Sequence, residues 1–191
     1  MATLISLLAV TAVLATPSAA LESSSDPQSD TCAKLSSCAT CLSKSYCSWC
    51  VTKSKCTKQS CGNDNVIYPK SVKALMSGPQ FCPRIVRPEK ELAFESGKKQ
   101  ILSVKITQIY LYMAFTTWKC RISLNDEEID VNAVLLADEV YCDSVVLSNK
   151  SDKPEAAGSV TLLWEQNKVL DGSVPFIVCR CDMDSGCAVC K

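Results

Sequence analysis

Fourteen cysteines and no histidine set the chemistry open to this 191-residue chain. Eight of the cysteines crowd together, spaced Cys32-x5-Cys38-x2-Cys41-x5-Cys47-x2-Cys50-x5-Cys56-x4-Cys61 and closed by Cys82. Sulfur at this density can bind metal, exchange disulfides or cross-link a fold. Cys38-x2-Cys41 and Cys47-x2-Cys50 each have the spacing of half a zinc site. Cys47-Ser48-Trp49-Cys50 also has the form of a thiol–disulfide oxidoreductase motif, although such sites need a βαβ setting and a thiol pKa lowered at a helix N-terminus. Cross-linking is the favoured chemistry, because a segment of about fifty residues buries too little apolar surface to offset its conformational entropy. Without histidine the chain lacks the commonest general base, the commonest zinc ligand and the usual partner of a Ser or Cys nucleophile. No catalytic, cofactor or metal residue is therefore assigned, and the chain reads as non-enzymatic.

Compartment separates disulfides from zinc. Residues 1–20, MATLISLLAVTAVLATPSAA, carry no charge, an apolar run from Leu4 to Leu14, and Ser18 and Ala20 where signal peptidase reads small residues. They read as a secretory signal peptide lacking the usual basic residue before its apolar run. That run falls well short of the ~20 residues that span a bilayer, which weighs against a membrane anchor, and no other segment is long and apolar enough to cross. The destination is oxidising, secreted or on the outer side of the plasma membrane, where thiols pair. Twenty basic residues balance twenty acidic ones, so nothing marks a footprint for nucleic acid or anionic membrane. Lys53, Lys55 and Lys58 read as a solvated loop face rather than a heparin site.

Composition then divides the chain. Residues 21–31 are polar and read as a flexible N-terminus. Residues 32–82 form the cysteine-rich knot, with Trp49 as its apolar centre. The prolines of Pro83-Arg84-Ile85-Val86-Arg87-Pro88 predict an extended connector. Residues 83–180 read as all-β without helix. Leu102, Val104 and Ile106 alternate with polar residues, as do Trp118, Cys120, Ile122 and Leu124, and further strands fit 139–145, 159–165 and 174–179. Turn signals separate them at Asn125-Asp126, 148–154 and Asp171-Gly172. The predicted fold is all-β dominated, a small disulfide-rich knot followed by an immunoglobulin-like β-sandwich. Trp118 and Trp164 fall in phase with apolar faces and read as core. Cys120 and Cys142 lie in different strands and form the natural pair across that core. Asn149-Lys150-Ser151 is the sequence's one glycosylation sequon, in a polar loop, so Asn149 is expected to carry a glycan.

The run CAKLSSCATCLSKSYCSWCVTKSKC with Cys61 and Cys82 resembles the PSI domain shared by plexins, semaphorins and integrins. That resemblance implies the pairs Cys32 with Cys47, Cys38 with Cys82, Cys41 with Cys56, and Cys50 with Cys61. WKCRISLNDEEIDVNAVLLADEVYC and SVTLLWEQNKVLDGSVPFIV are similar to the plexin form of the IPT, or TIG, domain, although the glycine-rich opening is reduced to Gly97. Cys181-x5-Cys187-x2-Cys190 repeats the opening spacing of the knot, so residues 181–191 read as the truncated start of a second PSI domain. On that reading Cys181, Cys187 and Cys190 lack their partners, Cys179 is also unassigned, and the tail forms no stable unit. The resemblance implies extracellular protein partners and a role in spacing and orienting binding domains of a plexin-like receptor. Semaphorin is a partner only if a sema propeller lies elsewhere in the full protein. The alternative is a complete small secreted binding or decoy protein.

Overall fold

The computed structural model describes residues 26–107 and 109–190. The signal peptide expected over residues 1–20 lies outside them. The knot opens with α1 (Pro27–Ala33), so residues 27–31 are helical where a flexible terminus was expected. Asp26 caps it, its carboxylate accepting from the Gln28 N–H at 3.0 Å, and Pro27 sits in the first turn where its missing N–H costs nothing. Cys32, bonded to Cys47, anchors the helix. α2 (Cys38–Leu42) follows, capped by Ser37, whose Oγ accepts from the Thr40 N–H at 3.2 Å. A small antiparallel sheet has β1 (Ser48–Cys50) between β2 (Lys55–Thr57) and β3 (Val66–Ile67). Trp49, Leu42, Val51 and Ile67 pack among the half-cystines as its core. The bridges are Cys32–Cys47, Cys38–Cys82, Cys41–Cys56 and Cys50–Cys61.

The second body is one sheet curled onto itself. Its strands are β4 (Leu92–Glu95), β6 (Ser103–Lys105), β7 (Trp118–Leu124), β8 (Glu127–Leu136), β9 (Glu139–Cys142), β11 (Glu155–Trp164) and β13 (Val174–Cys179), in the order β4-β13-β11-β7-β8-β9-β6, with β12 (Lys168–Val169) added to β11. β5 (Lys99–Gln100) and β10 (Val145–Val146) form a separate pair. The curl comes from β8. It pairs with β7 from Glu127 to Ala133 and with β9 from Ala133 to Leu136, so one strand serves both layers. Cys120–Cys142 ties β7 to β9 across the curl. Gly158 lets Phe176 lie close on β11, since a Cβ there would come within 2.5 Å of the ring.

Two local expectations are corrected, and Asn149 has a setting that the sequence did not show. A turn of 3-10 helix covers Leu111–Phe115, against the helix-free reading, and its Met113 carbonyl accepts from Trp118 Nε1 at 3.0 Å, giving the buried indole its partner. Asn149, expected to carry a glycan, is only 6% exposed. Its Nδ2, the atom a glycan would occupy, donates to the Lys153 carbonyl at 2.9 Å, while its Oδ1 accepts from the Ser151 N–H and Oγ at 2.9 and 2.6 Å. The sequon thus serves as a buried turn lock. Intact-mass analysis of the chain secreted from a eukaryotic cell is expected to give the bare polypeptide, and a glycan-sized increment would refute this role.

The second correction concerns Cys179, Cys181, Cys187 and Cys190, expected to lack partners. They bond to one another as Cys179–Cys187 and Cys181–Cys190, eight and nine residues apart. Turns reverse the chain after Arg180, whose N–H is held by the Pro154 carbonyl at 2.7 Å, and bring the second of each pair back within reach of the first. The tail is therefore strapped to the end of β13 rather than laid out as the opening of a second knot. No free cysteine remains among the described residues.

Candidate functional site: the junction between the two bodies

Asp171 lies in the turn before β13, yet its side chain belongs to the knot. Its two carboxylate oxygens accept from the N–H groups of Cys38 and Ala39 at 3.0 and 2.8 Å, the first two donors of α2. With Ser37 serving Thr40, three orphan donors of that helix end are satisfied, two of them from another body. Burial pushes the Asp171 carboxyl above its usual range, opposed by the Ala39 and Cys38 donors and by the charge of Arg84. The Asp171 backbone contributes too, its carbonyl accepting from the Ile85 N–H at 2.8 Å.

That bond continues along the connector. Val86 donates to the Lys105 carbonyl and Thr107 to the Arg84 carbonyl, each at 2.8 Å, while Arg84 donates to Thr107 Oγ1 at 3.0 Å. The prolines keep the segment extended, and these bonds make it part of the sandwich rather than a free linker.

Aromatic packing closes the joint. Tyr110 and Tyr112 pack against both cores. Their rings stack at 6.2 Å, and Tyr112 meets Trp164 at 6.0 Å. The Tyr110 hydroxyl donates to the Phe81 carbonyl at 3.4 Å. Lys168 Nζ lies 4.7 Å from the centre of the Trp164 ring and donates to the Thr52 carbonyl in the knot. The space left, lined by Trp49, Val51, Met113, Trp164 and Leu170, is about 10 Å³, at the lower limit for one water.

The Tyr112 hydroxyl is buried without a hydrogen-bond partner. Desolvation pushes its pKa up to about 12, with nearby Thr52 opposing the shift but lying outside hydrogen-bond geometry. The folded phenol thus keeps its proton where the unfolded one, at 10.0, has released it. Stability is expected to fall as pH rises from about 10 towards 12. Urea midpoints across that range check it, and Tyr112→Phe should remove most of the slope, leaving a smaller part from Tyr110, whose pKa burial also raises.

The cysteine motifs offer no competing chemistry. Cys47 and Cys50 go to different partners, Cys32 and Cys61, so this Cys-x-x-Cys is not a dithiol pair. Ligand atoms converge at Cys32, Cys47 and Cys56, at Cys38, Cys82 and Asp171, and at Glu155, Cys179 and Cys187. Every sulfur in these groups is bonded to another sulfur and offers no thiolate. Sequence reasoning assigned Asp171 only to a turn and gave Tyr110 and Tyr112 no role. Nothing in the local pattern distinguishes them, because their partners lie in the other body.

Comparison with known proteins agrees with this architecture. The family model described as "Plexin repeat", the PSI domain, matches residues 31–73, and that described as "TIG domain found in plexin" matches residues 90–177. No curated protein matches the chain. Among solved structures the chain is similar to the full extracellular region of plexin A4 in two crystal forms, 19% identical in each. The first match has a TM-score of 0.65 over 83% of this chain and 16% of that one; the second has 0.63 over 83% and 14%. At such identity the likeness shows the fold, and this chain spans less than a fifth of either structure's length. The chain thus carries a plexin repeat over residues 31–73 followed by a TIG domain of the plexin type over residues 90–177.

Proposed function

We propose that the chain acts as a non-enzymatic extracellular spacer, a PSI and TIG pair locked into one stiff unit that sets the distance and orientation of protein-binding domains in a plexin-like receptor. The observation that carries this reading is the Asp171 carboxylate seated on the first two N–H groups of α2 in the other domain. A hinge would not place a half-buried carboxyl where its hydrogen-bond donors lie across the joint. Seven disulfides support an oxidising, extracellular setting. Among the described residues no helix is long and apolar enough to cross a membrane. Semaphorin recognition is not assigned to these two domains and would enter through a propeller elsewhere in a longer protein.

Residual dipolar couplings test the stiffness. Both domains of the wild-type chain should fit a single alignment tensor, whereas Asp171→Ala, costing about 1–3 kcal/mol by leaving the Cys38 and Ala39 donors unpaired, should require two. Two tensors in the wild type would refute the spacer reading. A second reading, a secreted binding or decoy protein, is favoured by the tail, whose four cysteines pair internally.

A further inference from the structure

The neutral total hides a division of charge. Residues 26–84 hold seven lysines and Arg84 against three aspartates and no glutamate, five positive charges in excess. Residues 85–190 hold eleven basic and sixteen acidic side chains, five negative in excess. The PSI domain is therefore a basic body joined to an acidic one.

Its charge is not neutralised where it stands. Asp26 pairs with Lys58. Asp64 is taken up by the N–H groups of Thr52 and Lys53 at 2.8 and 3.1 Å, and Asp30 lies in the first turn of α1. Lys34, Lys44, Lys53, Lys55, Lys70 and Lys73 are all exposed, and none has a carboxylate partner among the described residues. The fold also gathers lysines that the sequence separates. Ser71 Oγ donates to the Ser45 carbonyl at 3.4 Å across 26 residues, which brings the loop bearing Lys44 against that bearing Lys70 and Lys73. The Val72 N–H on the Pro69 carbonyl, at 2.9 Å, fixes the turn that presents Lys70.

We propose that this lysine field is a binding surface for a sulfated glycosaminoglycan, with Lys44, Lys70 and Lys73 at its centre. The side-chain type selects the partner. Lysine is a compact, strongly hydrated point charge on a flexible stem, suited to a mobile polyanion, whereas planar recognition of carboxylates at protein interfaces favours arginine. Arg84, the one arginine of this body, lies in the connector, with its backbone engaged on Thr107. Linear sulfated glycans are the dense polyanions of the extracellular space, so the proposal rests on the setting proposed above, while binding in vitro does not.

Surface plasmon resonance of the full chain on immobilised heparin tests it. Binding is expected at physiological salt, weakening linearly in log Kd against log salt as counterions are released. Lys44→Gln with Lys70→Gln and Lys73→Gln should weaken it roughly tenfold or more, while Lys98→Gln with Lys99→Gln and Lys150→Gln on the TIG domain should leave it unchanged. The triple PSI variant should still fit one alignment tensor, which keeps this result separate from the stiffness of the junction. Absence of heparin binding at physiological salt, equal loss in both triple variants, or equal binding to polyglutamate would overturn the proposal.

Discussion

Replacing Cys38 and Cys82 together by serine is expected to lower stability by about 4 kcal/mol, the entropy of releasing a loop of this length in the unfolded chain. This bridge spans 44 residues, the longest separation of the seven, and Cys50–Cys61 spans 11. The paired substitution of Cys50 and Cys61 should cost about 3 kcal/mol on the same scale, so the order of the two effects is itself a test. Cys38 also starts α2 and donates to Asp171, so its release loosens the helix end that the TIG domain caps. Since a domain of this size is stable by only about 5–15 kcal/mol, secretion should drop with it. Urea midpoints and secreted yield measure both. A Cys38/Cys82 variant as stable as the Cys50/Cys61 one would show that this bridge does not govern the knot.

Trp164→Ala is expected to cost about 3–5 kcal/mol, the range for removing a buried indole. Trp164 is 3% exposed and ends β11 at the joint, against Tyr112 on one side and Lys168 on the other. Its loss should do more than open a cavity. Lys168 loses the ring that steers it to Thr52, and Tyr112 loses the wall that holds it between the cores. Unfolding should therefore separate into two transitions, knot and sandwich, where the wild type gives one. Trp118→Ala provides the contrast. That indole is equally buried but serves the sandwich core and Met113, so a similar cost should come with a coupled transition. A single transition in Trp164→Ala would refute its place in the joint.

The fold class was legible because two periodicities survive in sequence. Cysteine spacing marked the PSI domain, and alternation such as that of Trp118, Cys120, Ile122 and Leu124 marked strands. β8 was not legible. Its opening residues Glu127, Glu128 and Asp130 look like the continuation of a turn, and its far end carries Val134, Leu135 and Leu136 in a row, with Val134 and Leu136 exposed, so no alternation marks the face that packs. Helix α1 was masked by Pro27 and the polar residues around it, which favour helix only at its first turn. The setting of Asn149 was not legible for a different reason. The residue pair that an oligosaccharyl transferase reads is the same pair that locks a buried turn, and only burial tells them apart. The junction left no local trace, since the hydrogen bonds that cross it join residues that are distant along the chain.

The bond from Asp171 to Cys38 crosses 133 residues, so it can close only after nearly all of the TIG domain has been made. Three bridges of the PSI domain can close once Cys61 has emerged, and the fourth once Cys82 arrives. The acceptor for the two open N–H groups of α2 does not yet exist at that moment. A nascent chain halted anywhere before residue 171 would thus carry a cross-linked first domain with a bare helix end and an uncovered face beside Trp49, a surface of the kind that chaperones retain. Synthesis of the last hairpin hides that face. The Asp171 carboxylate thus reaches α2 only after the first domain has been made.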